Sequence, residues 1–221
     1  MVETISTRKV SVVLWYNFQI IKTRILSKAE ELSRKYGFRA ITMDELATQL
    51  GISKKTIYQY YADKNALVDD VLTTIISKSQ EQCQITSIQA TNAIDEIFLT
   101  MNYLRNDLQN LNPIVIHDLE KYFPDTFSKF QQHKNSFTYT LIYNNLVKGM
   151  SQGYYRQEIN PEIIAKFRIE TMIMGFNQTL YPSDKYSLTD VTQAIFEHFL
   201  YGIVTPKGLK LIEKYKTNLS T

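Results

Sequence analysis

The side chains of this 221-residue sequence best suited to chemistry are cations and hydrogen-bond donors rather than nucleophiles. Ser53, Lys54, Lys55, Thr56, Tyr58, Gln59 and Tyr60 crowd into one short run, with Thr42 upstream and Lys64 downstream. Ammonium and hydroxyl groups at this density suit phosphate oxygens, and an amide such as Gln59 can read an adenine edge in the major groove. One catalytic pattern competes: Gly149-Met-Ser151-Gln-Gly153 fits G-x-S-x-G, with Asp184 or Asp190 and then His198 in hydrolase order. A nucleophile elbow requires a strand before its serine, whereas residues 137–150 read as helix and Gly153 as its terminator, so no enzyme activity is expected. His117, His133 and His198 offer no ligand pair at helical spacing, and no Walker loop or dinucleotide fingerprint is present, so no metal or cofactor is expected. Cys83, the single cysteine, lacks a disulfide partner and reads as a small apolar helix residue in a reducing cytoplasm.

Helices must position these groups. Seven glycines and five prolines leave few breaks for a many-turned β architecture, so the composition predicts an all-α fold. Ile21, Ile25, Ala29, Leu32 and Tyr36 recur at near-helical intervals, and Gly37 can end that helix in the left-handed conformation. Thr42 with Glu45 forms a capping box that opens a short helix to about Leu50. Gly51 breaks it, Ser53 caps a third helix over 54–61, and Asp63 caps a long fourth one. Ala47 four residues before Gly51, with Leu46, Leu50, Ile52 and Ile57 around the turn, is the spacing of a DNA-binding helix-turn-helix. Ala47 lets the helices approach, Gly51 supplies positive φ, and Ile57 plugs the second helix onto the first. A helical hairpin with the same pattern is the competing reading. Charge favours DNA: residues 18–65 hold nine Lys/Arg against five Asp/Glu, and residues 66–221 hold fourteen against sixteen.

The segment from Ile41 to Leu67, ITMDELATQLGISKKTIYQYYADKNAL, closely resembles the DNA-binding domain of the TetR family of bacterial repressors, and the resemblance covers about residues 18–79. It implies a homodimer with a helical ligand-binding body that binds a palindromic operator on double-stranded DNA and releases it when a small molecule binds. It also implies that Thr42 touches phosphate, that Lys54, Lys55, Thr56 and Tyr58 approach bases or backbone, and that Tyr60 and Lys64 clamp phosphates. Tyr60 stands where the family often has His, Tyr61 where it often has Phe, and Asn65 where it often has Glu. Residues 149–156 and 202–211 also look like a subset of the family. By that analogy helices over 161–180 and 188–203 pair with their copies through Met172, Met174, Phe176, Ile195, Phe196 and Phe199, the alternative being that these side chains pack their own core.

The chain therefore divides into a loose arm at 1–17, a helix-turn-helix domain of three helices at 18–79 and a larger helical ligand-binding and dimerisation domain at 80–221. Within the last, helices are predicted over 93–108, 113–123, 124–150, 161–180, 188–203 and 208–215. Residues 66–221 carry ten Tyr and nine Phe, enough for an aromatic-lined cavity or simply for a core. Met101, Asn102, Tyr103, His117, Asn144 and Asn177 are candidates to orient a hydrophobic or aromatic effector; backbone hydrogen bonds are the competing use of their polar atoms. No secretory signal or membrane span is read, because the apolar run 10–18 is too short to cross a bilayer. Control by a protein partner, or an architectural role on DNA, is the alternative to a small-molecule effector.

Overall fold

The computed structural model describes the backbone of residues 3–219 and the side chains of residues 16–216. Its helices are α1 (Glu3–Tyr36), α2 (Met43–Leu50), α3 (Lys54–Tyr58), α4 (Lys64–Gln89), α5 (Ala93–Leu108), α6 (Ile114–Tyr122), α7 (Pro124–His133), α8 (Tyr139–Ser151), α9 (Pro161–Met174), α10 (Leu188–Ile203) and α11 (Pro206–Leu219), with a π-helical turn, Lys134–Thr138, joining α7 to α8. About 77% of the chain is helical, so the fold is all-α. Among the described residues, extended pairing is limited to one bridge between Tyr155 and Val204.

Several boundaries differ from the sequence reading. Helix α1 begins at Glu3, so the stretch 1–17 expected as a loose arm is helical from its third residue; residues 1–2 and the side chains before Tyr16 lie outside the described residues. Helix α3 stops at Tyr58 rather than 61, because its last turn tightens: the Gln59 and Tyr60 amides donate to Thr56 and Ile57, three residues back. The expected helix over 124–150 is divided by the π turn, and α9 ends at Met174, six residues before the predicted end.

Helices α1 to α4 form a head. Ile25, Ala29 and Leu32 of α1 meet Leu46 and Ala47 of α2, Ile57 of α3, and Leu67, Val68 and Val71 of α4. This core is not closed by the head alone. Val115 and Leu119 of α6, with Phe123 just beyond it, are buried in the same cluster. Polar ties reinforce the junction: the Arg39 amide donates to Asp118 at 2.9 Å, the Asn112 amide to the Arg34 carbonyl at 2.7 Å, and Lys129 pairs with Asp69 at 2.7 Å. A second core fills the body, from Ile94 and Phe98 of α5 through Leu146 of α8 and Ala165 of α9 to Phe196, Phe199, Leu200 and Ile203 of α10.

The G-x-S-x-G run acquires a structural reason here. Gly149 lies inside α8 against the ring of Tyr155, which is fully buried, and a Cβ at 149 would overlap that ring. The Tyr155 hydroxyl donates to Asn145 Oδ1 at 3.0 Å and Asn145 Nδ2 donates to the Ala93 carbonyl at 2.9 Å, locking α8 to the start of α5. Ser151 closes α8 and donates to the Lys148 carbonyl, so no strand-turn-helix elbow forms around it. Gly149→Ala should lower stability by about 1–3 kcal/mol through overpacking. A thermal melt with the midpoint unchanged would show that Tyr155 can move aside.

Candidate nucleic-acid interface and effector cavities

The candidate recognition surface is built from caps. Thr42 caps α2 by accepting the Glu45 amide at 3.0 Å, while the return half of the expected box is not made, since Glu45 Oε1 accepts from Gln49 at 2.8 Å. Gly51 terminates α2 at φ 64°, and the guanidinium of Arg24, from α1, donates to the Leu50 carbonyl at 3.3 Å. Ser53 caps α3 by accepting the Thr56 amide at 3.0 Å, and the two hydroxyls share a 2.8 Å hydrogen bond. Asp63 caps α4 by accepting the Ala66 amide at 2.8 Å. The caps of α2 and α3 leave Thr42, Ser53, Lys54, Lys55, Tyr58 and Gln59 exposed and Thr56 half-buried, while Ile57 of the same helix is fully buried. Exposed donors at two helix starts, with their partial positive charge, make a surface that fits phosphate.

Three of the predicted DNA contacts are already engaged within the head. Lys54 pairs with Asp44 across the turn at 2.8 Å, but both groups are well exposed, so the pair is weak and exchangeable. Tyr60 is half-buried and packs against Phe18 in a tilted pair with ring centres 4.4 Å apart. Lys64 is also half-buried: its ammonium donates to the Arg39 carbonyl at 2.8 Å and lies 5.4 Å from the Phe123 ring, and burial holds its pKa below the ordinary lysine value. Lys64 thus ties α4 to the loop before α2 as well as lying near the recognition surface. Behind these groups, Asp70 accepts from Tyr61 at 2.9 Å and pairs with Lys22 at 2.9 Å. Burial alone would raise its carboxyl, but these two partners hold it below the usual range.

Two cavities among the described residues open into the body. A smaller one of about 150 Å³ lies among α4, α5, the π turn, α8 and α9, lined in part by Cys83, Tyr103, His133, Phe137 and Ile142. A larger one of about 460 Å³ lies among α5, α9, α10 and α11. Met101, Leu104, Arg168, Met172 and Phe196 belong to the walls of both. A π turn at a cavity wall is a recurrent feature of functional sites.

Of the candidate effector-orienting residues, Met101, Asn102 and Tyr103 line one or both cavities. His117, Asn144 and Asn177 do not, and all three are exposed. His117 lies about 200° around α6 from the buried Val115, so it faces outward. Asn144 is turned out while its neighbour Asn145 faces the smaller cavity. Asn177 lies past the end of α9, where its Oδ1 accepts the Thr179 and Leu180 amides as a turn cap. The dimer candidates divide too: Phe196 and Phe199 are buried within the chain itself, and Met172, Phe176 and Ile195 line cavities. Arg168, Glu96 and His133 line the smaller cavity and were missed, since each looks like an ordinary surface residue of an amphipathic helix. Cys83 is half-buried at that cavity, and burial pushes its thiol pKa up. Among the described residues, no three His, Cys, Asp or Glu side chains gather into a metal-binding group, and no helix is long and apolar enough to cross a membrane.

The family model for bacterial regulatory proteins of the tetR family matches residues 25–71. The HTH-type transcriptional regulator YvaF of Bacillus subtilis is 25% identical over 182 residues, spanning 81% of this chain and 94% of its own. A TetR-family regulator from Agrobacterium tumefaciens superposes with a TM-score of 0.72 at 13% identity, covering 85% of this chain and all of its own. FadR of Bacillus subtilis, solved in complex with stearoyl-CoA, superposes with a TM-score of 0.61 at 16% identity, covering 82% of this chain and 98% of its own.

Burial holds the His133 imidazole below its ordinary pKa of 6.5, so the folded chain takes up that proton less readily than the unfolded chain. Stability must then fall as pH drops through 6.5 toward the lower folded value. Melts between about pH 7.5 and 5.5 should show that slope, reduced in His133→Gln. Identical slopes in both proteins would assign the effect to other groups.

Proposed function

Because the chain belongs to the TetR family of bacterial transcriptional regulators, we propose that it is a homodimeric repressor that grips a palindromic operator with the exposed face of α3 and lets go when a small hydrophobic or aromatic molecule enters the body. The observation that carries this reading is the path of α4. Its first turns, through Leu67, Val68, Val71 and Leu72, are buried in the head, and its later turns present Ser79 and Cys83 to the smaller cavity. One helix therefore meets both sites, and an occupant that shifts its far end moves the head. The similar FadR binds stearoyl-CoA, which supports an effector with a large apolar part.

Each recognition helix reads only a few base pairs, so the dimer supplies reach by holding two of them about 34–36 Å apart, or a multiple of that spacing. An apolar stripe on α9 suits the seam: Ile163 is 63% exposed, Phe167 is 52% exposed, and Met174 continues the line. These replace Phe196 and Phe199 as the side chains available to a second copy. Phe167→Asp should convert the protein to a monomer in sedimentation equilibrium. A dimer that survives it would put the seam elsewhere.

DNA binding tests the main reading. The protein should bind its own upstream DNA with a dissociation constant near 10⁻⁸–10⁻¹¹ M, roughly, and lose affinity steeply with salt. Thr56→Ala should cost about 0.5–1.5 kcal/mol, the worth of one hydrogen bond, and Lys55→Ala should lower the salt slope by about one. Weak, sequence-indifferent binding untouched by either substitution would contradict the assignment.

A further inference from the structure

Arg168 sits where a cation is hard to keep. Its residue is only 7% exposed, and its guanidinium lies 5.3 Å from the Phe196 ring centre and 5.2 Å from that of Phe199. Its Nη2 approaches the Met101 sulfur at 3.9 Å. Among the described residues no carboxylate comes within ion-pair distance of it. The acidic side chains that line the cavities have other partners, Glu96 pairing with Lys148 at 2.8 Å and Glu197 with Lys216 at 3.1 Å, and Glu170, on the same helix as Arg168, pairs with Lys134 at 2.8 Å. Burial lowers the Arg168 pKa to about 10, which leaves the group charged at neutral pH.

Aromatic faces and a thioether recover only part of what a guanidinium loses on leaving water. An arginine carries five N–H donors, and the sulfur contact uses one of them. The other polar groups of the smaller cavity are largely satisfied from within. Asn145 bonds the Ala93 carbonyl and Tyr155, and His133 bonds Gln80 at 3.2 Å. The wall common to both cavities therefore presents a positive charge, in a residue only 7% exposed, whose remaining donors open onto an apolar space. A planar fork of donors matches a carboxylate in paired hydrogen bonds, and the low local dielectric strengthens the match.

We propose that Arg168 anchors the effector, and that the effector is an apolar molecule carrying one carboxylate. The head group meets the guanidinium on the shared wall, and the apolar body lies in the smaller cavity against Ile97, Phe137, Leu141 and Ile142. The same charge repels cationic ligands of equal size. This assignment rests on the reading that the cavities hold the effector, and it adds the chemical class.

Calorimetric titration of the full-length dimer with octanoate, decanoate and dodecanoate, each beside the alcohol and the trimethylammonium of equal chain length, tests it. At least one carboxylate should bind at least ten-fold more tightly than its alcohol, and the ammonium should bind worst. Arg168→Gln should erase the carboxylate preference while leaving the alcohol unchanged, and Arg168→Lys should keep part of it. Equal binding of carboxylate and alcohol, or no binding by any of the three carboxylates, would overturn the anchor. Carboxylate binding that requires Arg168 but leaves operator affinity unchanged would keep the anchor and instead refute the effector reading. A second measurement needs no ligand: Arg168→Met should melt at the same temperature as the unaltered protein or about 2–4 °C higher, because it removes an unpaired buried charge. A clear drop in melting temperature would mean that Arg168 serves the fold rather than a ligand.

Discussion

The structure depends on one shared hydrophobic core. Val115, Leu119 and Phe123 belong to the body in sequence, yet they are buried against Leu46, Ile57 and Val68 of the head. Each such side chain contributes roughly 1.5–3 kcal/mol when removed from water, so the head cannot tilt freely without exposing surface that α6 now covers. Asp118 reinforces the constraint by accepting the Arg39 amide, and Gly37 permits it, since a Cβ there would collide with Asp118 and Ile114. The head is thus fixed to the body through α4 and α6, with the Lys129–Asp69 pair adding a tie from α7.

The body is arranged to keep a cavity open beside those attachments. Tyr155, Asn145 and the Ala93 carbonyl clamp α8 to α5 at one end, with Gly149 giving the ring its space. The π turn changes the helical register between α7 and α8 and brings Phe137 and Thr138 to the smaller cavity. Methionines 101 and 172 in the wall between the cavities are flexible side chains that can repack around different shapes. Around a rigid clamp and a soft wall, Arg168 supplies the charge that selects what enters.

Much of the head was legible in the sequence because its signals are local. Thr42, Ser53 and Asp63 cap the helices that their positions announce, Gly51 turns with positive φ, and Ile57 is buried while Lys55 and Tyr58 are exposed. The body was legible as helices and little more. Choosing Asn145 over Asn144 requires knowing which side of α8 meets α5, and that is decided by contacts fifty residues away in the chain. Likewise, Phe196 and Phe199 cannot be assigned to core or dimer seam until α9 is in place, and Arg168 among apolar neighbours looks like any polar face of a helix. The early stop of α9 at Met174 follows from Asn177 capping the next turn, a short-range signal that helical periodicity alone does not weigh.

On the proposed function, the smaller cavity and the DNA-binding surface are coupled through α4 and α6. Cys83 stands on α4 at that cavity, so Cys83→Trp places a fixed occupant where an effector would lie. Operator affinity of this variant is the most direct measurement, taken beside its circular dichroism and its mass in solution. Coupling of the usual size predicts a dissociation constant raised about 5- to 150-fold in a folded protein of unchanged oligomeric state. A folded variant that binds the operator as tightly as the unaltered protein would contradict the account.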